Sequence, residues 1–417
     1  MKKIFALAMS AALILSGCSS NAPTNPAVSG SSVSTASSSG EYNFTIGTSA
    51  TKDSTIGQTM QYAANLITER TDGRITVTCY PDSQLGSDSE LVEGVQLGSI
   101  TMVIGNTAPQ VTFVPDLALF DLPNTYVDIT QAQTVLSDFT EKMIPSFDST
   151  GLHLCQIFPT AFRYMSCSQA IDSIDDFSGI QIRTMTNPYH MAYWNSLGAT
   201  ATPLDFSELY IGLQQGLVDA QENPLDIFLS SKFYEQQDYV INTKHNVFVA
   251  TLLMNQDTWD SLPSDLQGIL NECFVEIGQY GTQLGQTAEE ANLQAVRDTG
   301  VTIIDLDDTT LSQMREKAQP VYDMIREDVG ADLVDDYLAA IDAAGKIIAR
   351  MPEGEFFIMK NIRKPSRIMT AYDFCNTGST TIYWLSGAGF LINCHGTCIL
   401  IDPVLMTASG DASRTRV

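Results

Sequence analysis

The chain has 417 residues and a formal charge of −26, from 22 Lys+Arg against 48 Asp+Glu, with four His and eight Cys. That length exceeds what one hydrophobic core organises, so two or more domains are expected, and 44% hydrophobic with 17% charged residues is a globular composition. The acidity and the lack of a basic patch exclude nucleic acid as a partner, and eight Cys are too sparse for a disulfide scaffold.

At the N-terminus, Lys2 and Lys3 precede an apolar run over residues 4–15, too short for a membrane span and followed by Leu15-Ser16-Gly17-Cys18. This pattern predicts a signal peptide over residues 1–17. Its ending resembles a bacterial lipobox, in which Cys18 would be lipidated and become the mature N-terminus. Residues 19–40 hold nine Ser with Pro, Thr and Gly and almost no charge, so 18–40 reads as a flexible tether. An extracytoplasmic, membrane-anchored lipoprotein is expected. No later segment is apolar and long enough to span a bilayer.

From Tyr42 onward strand and helix patterns alternate. A strand over 42–47 leads to a helix with Ile56, Met60, Ala63, Ala64 and Ile67 on one face. Strands over 74–80 and 100–104 flank a short helix over 88–97. Further strands are expected near 152–158, 179–184, 245–253 and 301–306. Helices are expected near 130–144, 188–197, 205–218, 262–298 and 311–349. Such alternation predicts an α/β fold with mostly parallel sheets. Over some 300 residues it makes two lobes with a ligand cleft between them the natural arrangement.

The chemistry of an enzyme is missing. No phosphate-binding loop, G-x-G-x-x-G, G-x-S-x-G or H-E-x-x-H occurs. His153, His190, His245 and His395 are scattered along the chain, so no multi-His metal site is expected. No cofactor is implied. Arginine placement carries more information: between Cys18 and Arg297 only Arg70, Arg74, Arg163 and Arg183 occur. Arg183 ends Gly179-Ile180-Gln181-Ile182-Arg183, a buried-looking strand. A buried guanidinium needs an anion matched to its fork, supplied either by an internal acid or by a ligand carboxylate.

Several motifs resemble the solute-binding proteins of TRAP (tripartite ATP-independent periplasmic) transporters. They include residues 89–98 (SELVEGVQLG), Phe120-Asp121-Leu122-Pro123, residues 175–183 with Asn187-Pro188 just after, and residues 201–210 (ATPLDFSELY). Gln221-Glu222-Asn223-Pro224 and Lys232-Phe233-Tyr234-Glu235 complete the set. The resemblance covers about residues 42–345. It implies a two-lobed, Venus-flytrap periplasmic-binding-protein fold with long C-terminal helices, closing on a small organic acid and delivering it to TRAP-type membrane permease subunits. By the same resemblance Arg183 forks the ligand carboxylate, Arg163 supports it, Asn223 donates to the same group and Phe206 packs on the ligand body. Asn187, Trp194, Asn106 and Glu90 complete the expected ligand set. Phe206, Trp194 and Tyr210 suit the core as well as the cleft. The expected domains are lobe 1 over about 41–160 and 249–288, lobe 2 over about 161–248 and 289–350, and a remainder over 351–417.

The facing wall is expected from loops of the first lobe at 47–50, 84–90 and 105–107, which are small and polar. Lys52 is the one nearby cation. This weighs against a C4-dicarboxylate and leaves sugar acids and keto acids open. Hinges are expected near 158–163 and 248–251, and Cys155 and Cys167 are candidate disulfide partners. The remainder has a net charge of +1 against −29 for residues 18–350. Its residues 378–405 resemble the truncated start of a metallo-β-lactamase fold. The alternative function is therefore a secreted, lipid-anchored, metal-dependent hydrolase of that fold.

Overall fold

The computed structural model describes residues 41–348 and the strands Thr380–Leu385, Gly389–Cys394 and Thr397–Ile401. The expected signal peptide, the lipidated Cys18 and the tether lie outside the described residues. In chain order the elements begin with β1 (Tyr42–Gly47), α1 (Thr55–Arg70), β2 (Ile75–Tyr80), α2 (Asp88–Gln96), β3 (Met102–Asn106), α3 (Ile129–Met143) and β4 (Leu152–Phe162). Then come β5 (Tyr164–Cys167), β6 (Gln181–Thr184), α4 (Pro188–Leu197), β7 (Thr200–Pro203), α5 (Phe206–Gln214), β8 (Ala220–Asn223), α6 (Leu225–Ser230) and β9 (Tyr239–Asn242). They end with β10 (Val247–Asn255), α7 (Gln256–Ser261), α8 (Ser264–Asp298), β11 (Thr302–Asp305), α9 (Asp308–Lys317), α10 (Gln319–Val329) and α11 (Ala331–Ile348).

Two sheets divide these strands. The first has the order β2-β1-β3-β10-β4 and the second β11-β9-β5-β8-β6-β7. Both are mixed rather than mostly parallel. The strands that carry the chain between lobes run against their neighbours: β10 is antiparallel to β3 and β4, and β5 is antiparallel to β8 and β9. Every residue of β10 is buried, which is why its sequence is apolar without alternation apart from Thr251 and the terminal Asn255. The first sheet is covered by α1, whose buried Ile56, Met60, Ala63 and Ile67 follow the expected helical spacing.

The chain passes between the sheets at three places. Arg163 alone separates β4 from β5, residues 243–246 join β9 to β10, and residues 299–301 join α8 to β11. The first agrees with the expected hinge. The second lies a few residues before 248–251, because those residues are locked in the interior of β10. The 35-residue α8 packs on both β4 and α1.

The helix expected over 311–349 is three helices. Pro320 restarts the chain at the first turn of α10, and Gly330, with φ of 101°, turns it into α11. Cys155 and Cys167 are both free, one on each sheet, so the disulfide suggested by sequence is not formed. Strands β12 (Thr380–Leu385), β13 (Gly389–Cys394) and β14 (Thr397–Ile401) form a separate antiparallel sheet of three. Among the described residues no helix is long and apolar enough to cross a membrane.

Candidate ligand site

Arg163 and Arg183 are each only 1% exposed, yet their surroundings differ. Arg163, at the crossing between sheets, pairs its Nε with Oε2 of Glu222 and its Nη2 with Oε1 at 3.0 Å. The same Nη2 donates to the Glu222 main-chain oxygen at 2.6 Å and to Asn223 Oδ1 at 3.1 Å. Its Nη1 is buried with no partner among the described residues.

Glu222 gathers further groups. His245 Nε2 lies 3.0 Å from its Oε2, and His190 Nδ1 lies 3.7 Å from its Oε1. His190 Nε2 also meets Asp121 at 3.2 Å. Burial alone would raise the Glu222 pKa, but Arg163 and the two histidines hold the carboxylate well below its usual range. Burial likewise opposes charge on His190, yet the bonds to Asp121 and Glu222 carry its pKa up to about 9. Burial keeps the His245 pKa below its usual value. Histidines scattered along the chain thus converge in space.

Arg183 is the third residue of β6 and pairs in register with Thr202 of β7. Its Nε donates to the Leu204 carbonyl at 2.8 Å, and its guanidinium carbon stands 5.9 Å from the Phe206 ring centroid. Among the described residues no carboxylate lies within ion-pair distance of it. Burial draws its pKa down to about 10, against the attraction of Glu222 and, more weakly, Asp88. Phe206 opens α5, is half-buried and meets Phe233 edge-on at 6.1 Å.

Asn223 ends β8 as an extended residue, as the following proline favours. Its Nδ2 donates to Gln221 at 2.6 Å and its Oδ1 accepts from Arg163, so its amide is aimed by fixed neighbours. Asn106 ends β3 and reaches across to Met185 Sδ at 3.3 Å, joining the ends of the two sheets.

Three expected ligand residues are committed elsewhere. Asn187 caps α4: its Oδ1 accepts from Tyr189 and His190 N–H groups, and its Nδ2 donates to Asp121 and to the Ala108 carbonyl. With both amide hydrogens used, it has none left for a ligand. Trp194 is fully buried among Phe177, Tyr193 and His245, a core residue behind the Glu222 cluster. Glu90 is exposed and folds back on Ser87 as the capping box of α2.

Sequence reasoning missed Asp88. It opens α2 and reads as an ordinary helix-start acid, but its Oδ1 accepts from Ser49 at 2.6 Å and its charge faces Arg183 from the first lobe. Burial raises its pKa, partly offset by Ser49 and Arg183. A guanidinium in one lobe and a carboxylate in the other, too far apart to pair, can orient a small polar anion between them. Lys52, the expected distal cation, is exposed.

Residues 46–328 match the bacterial extracellular solute-binding proteins of family 7. The chain belongs to this family. It is 33% identical over 266 residues to a solute-binding protein of Verminephrobacter eiseniae, covering 62% of this chain and 78% of that protein. It is 31% identical over 277 residues to the C4-dicarboxylate-binding periplasmic protein DctP of Rhodobacter capsulatus, covering 66% and 82%. A TRAP periplasmic solute-binding protein from Desulfovibrio salexigens, solved with orotic acid bound, superposes with a TM-score of 0.70 at 29% identity. That superposition covers 73% of this chain and 99% of the other. Family 7 proteins are extracellular solute receptors rather than enzymes, and the chain shares their two-lobed fold. The likeness of 378–405 to the metallo-β-lactamase fold, and the hydrolase it suggested, gain no support from these comparisons.

Proposed function

We propose that this receptor captures a small monocarboxylate bearing hydrogen-bond donors, a hydroxy or amino acid rather than a dicarboxylate, and hands it to a TRAP-type permease. One observation carries the reading: among the described residues Arg183 is buried with no carboxylate in reach and only its Nε engaged. A cation held that way is stabilised when a ligand carboxylate enters its fork. Arg163 Nη1, buried without a partner, offers a second donor, and Asn223 lies beside it. Phe206 covers the guanidinium face. Asp88 repels a second carboxylate and accepts from a hydroxyl or ammonium on the ligand's far end, with Ser49 holding it in place. Asn106 stands on the same side.

The lobe boundaries suggested by sequence and the lipid anchor at Cys18 belong to this reading, placing the receptor on the outer face of a membrane beside its permease. No catalytic step is assigned. The test is a thermal-shift screen of the mature protein over organic acids that includes orotate, sugar acids, amino acids, lactate and succinate. A hydroxylated or aminated monocarboxylate is expected to raise the melting temperature more than succinate does. A flat response across all of them, or preference for succinate, would sink the proposal.

A further inference from the structure

The two lobes meet at a second place, away from Arg183. Helix α1 belongs with the first sheet, and its N-terminus leaves backbone donors that need partners. Ser54 caps it from within, accepting the Gly57 N–H. The Thr55 N–H is taken instead by Asp226 Oδ2 at 2.7 Å, from α6 of the second lobe. Beside it Thr51 Oγ1 donates to Ser230 Oγ at 2.8 Å, again across the lobes. An anion at the start of a 16-residue helix also meets the positive end of its dipole.

Both sides of this contact are stiff. A side chain at Gly57 would press to 2.1 Å from the Thr51 carbonyl, so the loop over 51–54 is packed directly on the first turn of α1. Asp226 stands three residues after Asn223, joined through Pro224 and Leu225 to the strand that holds Arg163. A cavity of about 300 Å³ lined by Asp53, Gln58, Asp226, Ser230 and Asn292 runs alongside.

We propose that Asp226 and the N-terminus of α1 form a clasp between the lobes that holds the closed form and sets how much of the closing a bound carboxylate must drive. The inference rests on the receptor reading for its purpose, since a clasp matters to a protein that opens and closes. Because Asp226 is tied to the Glu222–Asn223 strand, seating the ligand and seating the clasp move the same element.

The clasp can be removed from either side. Asp226→Ala deletes the acceptor. Thr55→Pro deletes the donor while keeping α1, because proline suits the first helical position and the preceding Ser54 is extended, with φ of −71° and ψ of 165°. The mature protein is compared without ligand, by small-angle scattering and by amide exchange at Ile56 and Gly57. Each single variant is expected to raise the radius of gyration and to speed that exchange at least about tenfold, with the double variant doing no more than either. Unchanged radius and exchange in both singles, or additive effects in the double, would overturn the clasp. No ligand is added, so the result stands apart from the carboxylate reading. A flat organic-acid screen beside the expected clasp behaviour would overturn that reading alone.

Discussion

Two arginines lie twenty positions apart in sequence, equally buried, in opposite circumstances. Around Arg163 at the lobe crossing every charge has a counterpart: Glu222 takes the guanidinium, His245 and His190 take the remaining carboxylate edges, and Asp121 takes the far side of His190. Around Arg183 the carboxylates stand off and a carbonyl holds one nitrogen. The first region is a charge-balanced buried network, with Arg163 Nη1 left over among the described residues, and it fixes geometry. The second is an unsatisfied one, which is costly to keep and is where we propose that the ligand carboxylate binds. Burial identifies neither; the inventory of partners does.

That contrast can be broken by substitution, beginning where the effect is largest. Arg163→Ala leaves Glu222 buried and unpaired, and is expected to cost about 3–5 kcal/mol of stability by urea unfolding. An unfolding midpoint like that of the parent protein would mean the cluster is not a structural unit. Arg183→Ala should do the reverse, leaving the ligand-free melting temperature unchanged or higher. Calorimetry with the best acid from the screen should show affinity falling about a hundredfold. A loss below about tenfold would remove Arg183 from the site.

His190→Gln sharpens the comparison through pH. The folded pKa of His190 is raised to about 9 from an ordinary 6.5, so its charge stabilises the fold fully below about 6.5 and that contribution fades as pH rises through 9. Melting curves should therefore show a large destabilisation of the variant at pH 6 and a much smaller one near pH 10. A penalty independent of pH would mean that His190 acts through packing alone. The smallest effect is expected at Asp88. Asp88→Asn should raise affinity for succinate and lower it for the preferred acid, each by a few-fold, with the melting temperature of the free protein little changed.

The sequence was most legible where periodicity and burial coincide. The apolar stripe of α1 and the alternating β/α order foretold the two-lobed α/β fold, and Pro188 and Gly198 bracketed α4. It was least legible in β5, β7, β8 and β9 of the second sheet, each four residues long, whereas β6 and β11 fall where strands are expected. There Gln221, Glu222 and Asn223 are buried polar residues that read as turn or surface. The same physics hid the Glu222 cluster, since its members, Asp121, Arg163, His190, Glu222 and His245, come from five separate segments and only tertiary contact brings them together. Arg183 could be singled out because arginine is scarce and its strand is apolar. Asp88 could not, because an acid at a helix start has an ordinary explanation. At Asn187 and Glu90 the structure engages in helix capping the atoms that a ligand contact would use, which the sequence pattern does not reveal.

Arg163 is the single residue between β4 and β5, so one peptide link serves as both axle and anchor. A swing of one sheet against the other would be shared by the three crossings, one of which is the backbone of the residue whose side chain bonds Asn223. Under the proposed function, opening would loosen the grip on the cargo from behind, without a competing group having to enter the cleft. Unloading would then be a mechanical act. A permease that levered the lobes apart would disorganise the donor array in the same stroke, and the cargo would leave because its seat had been dismantled.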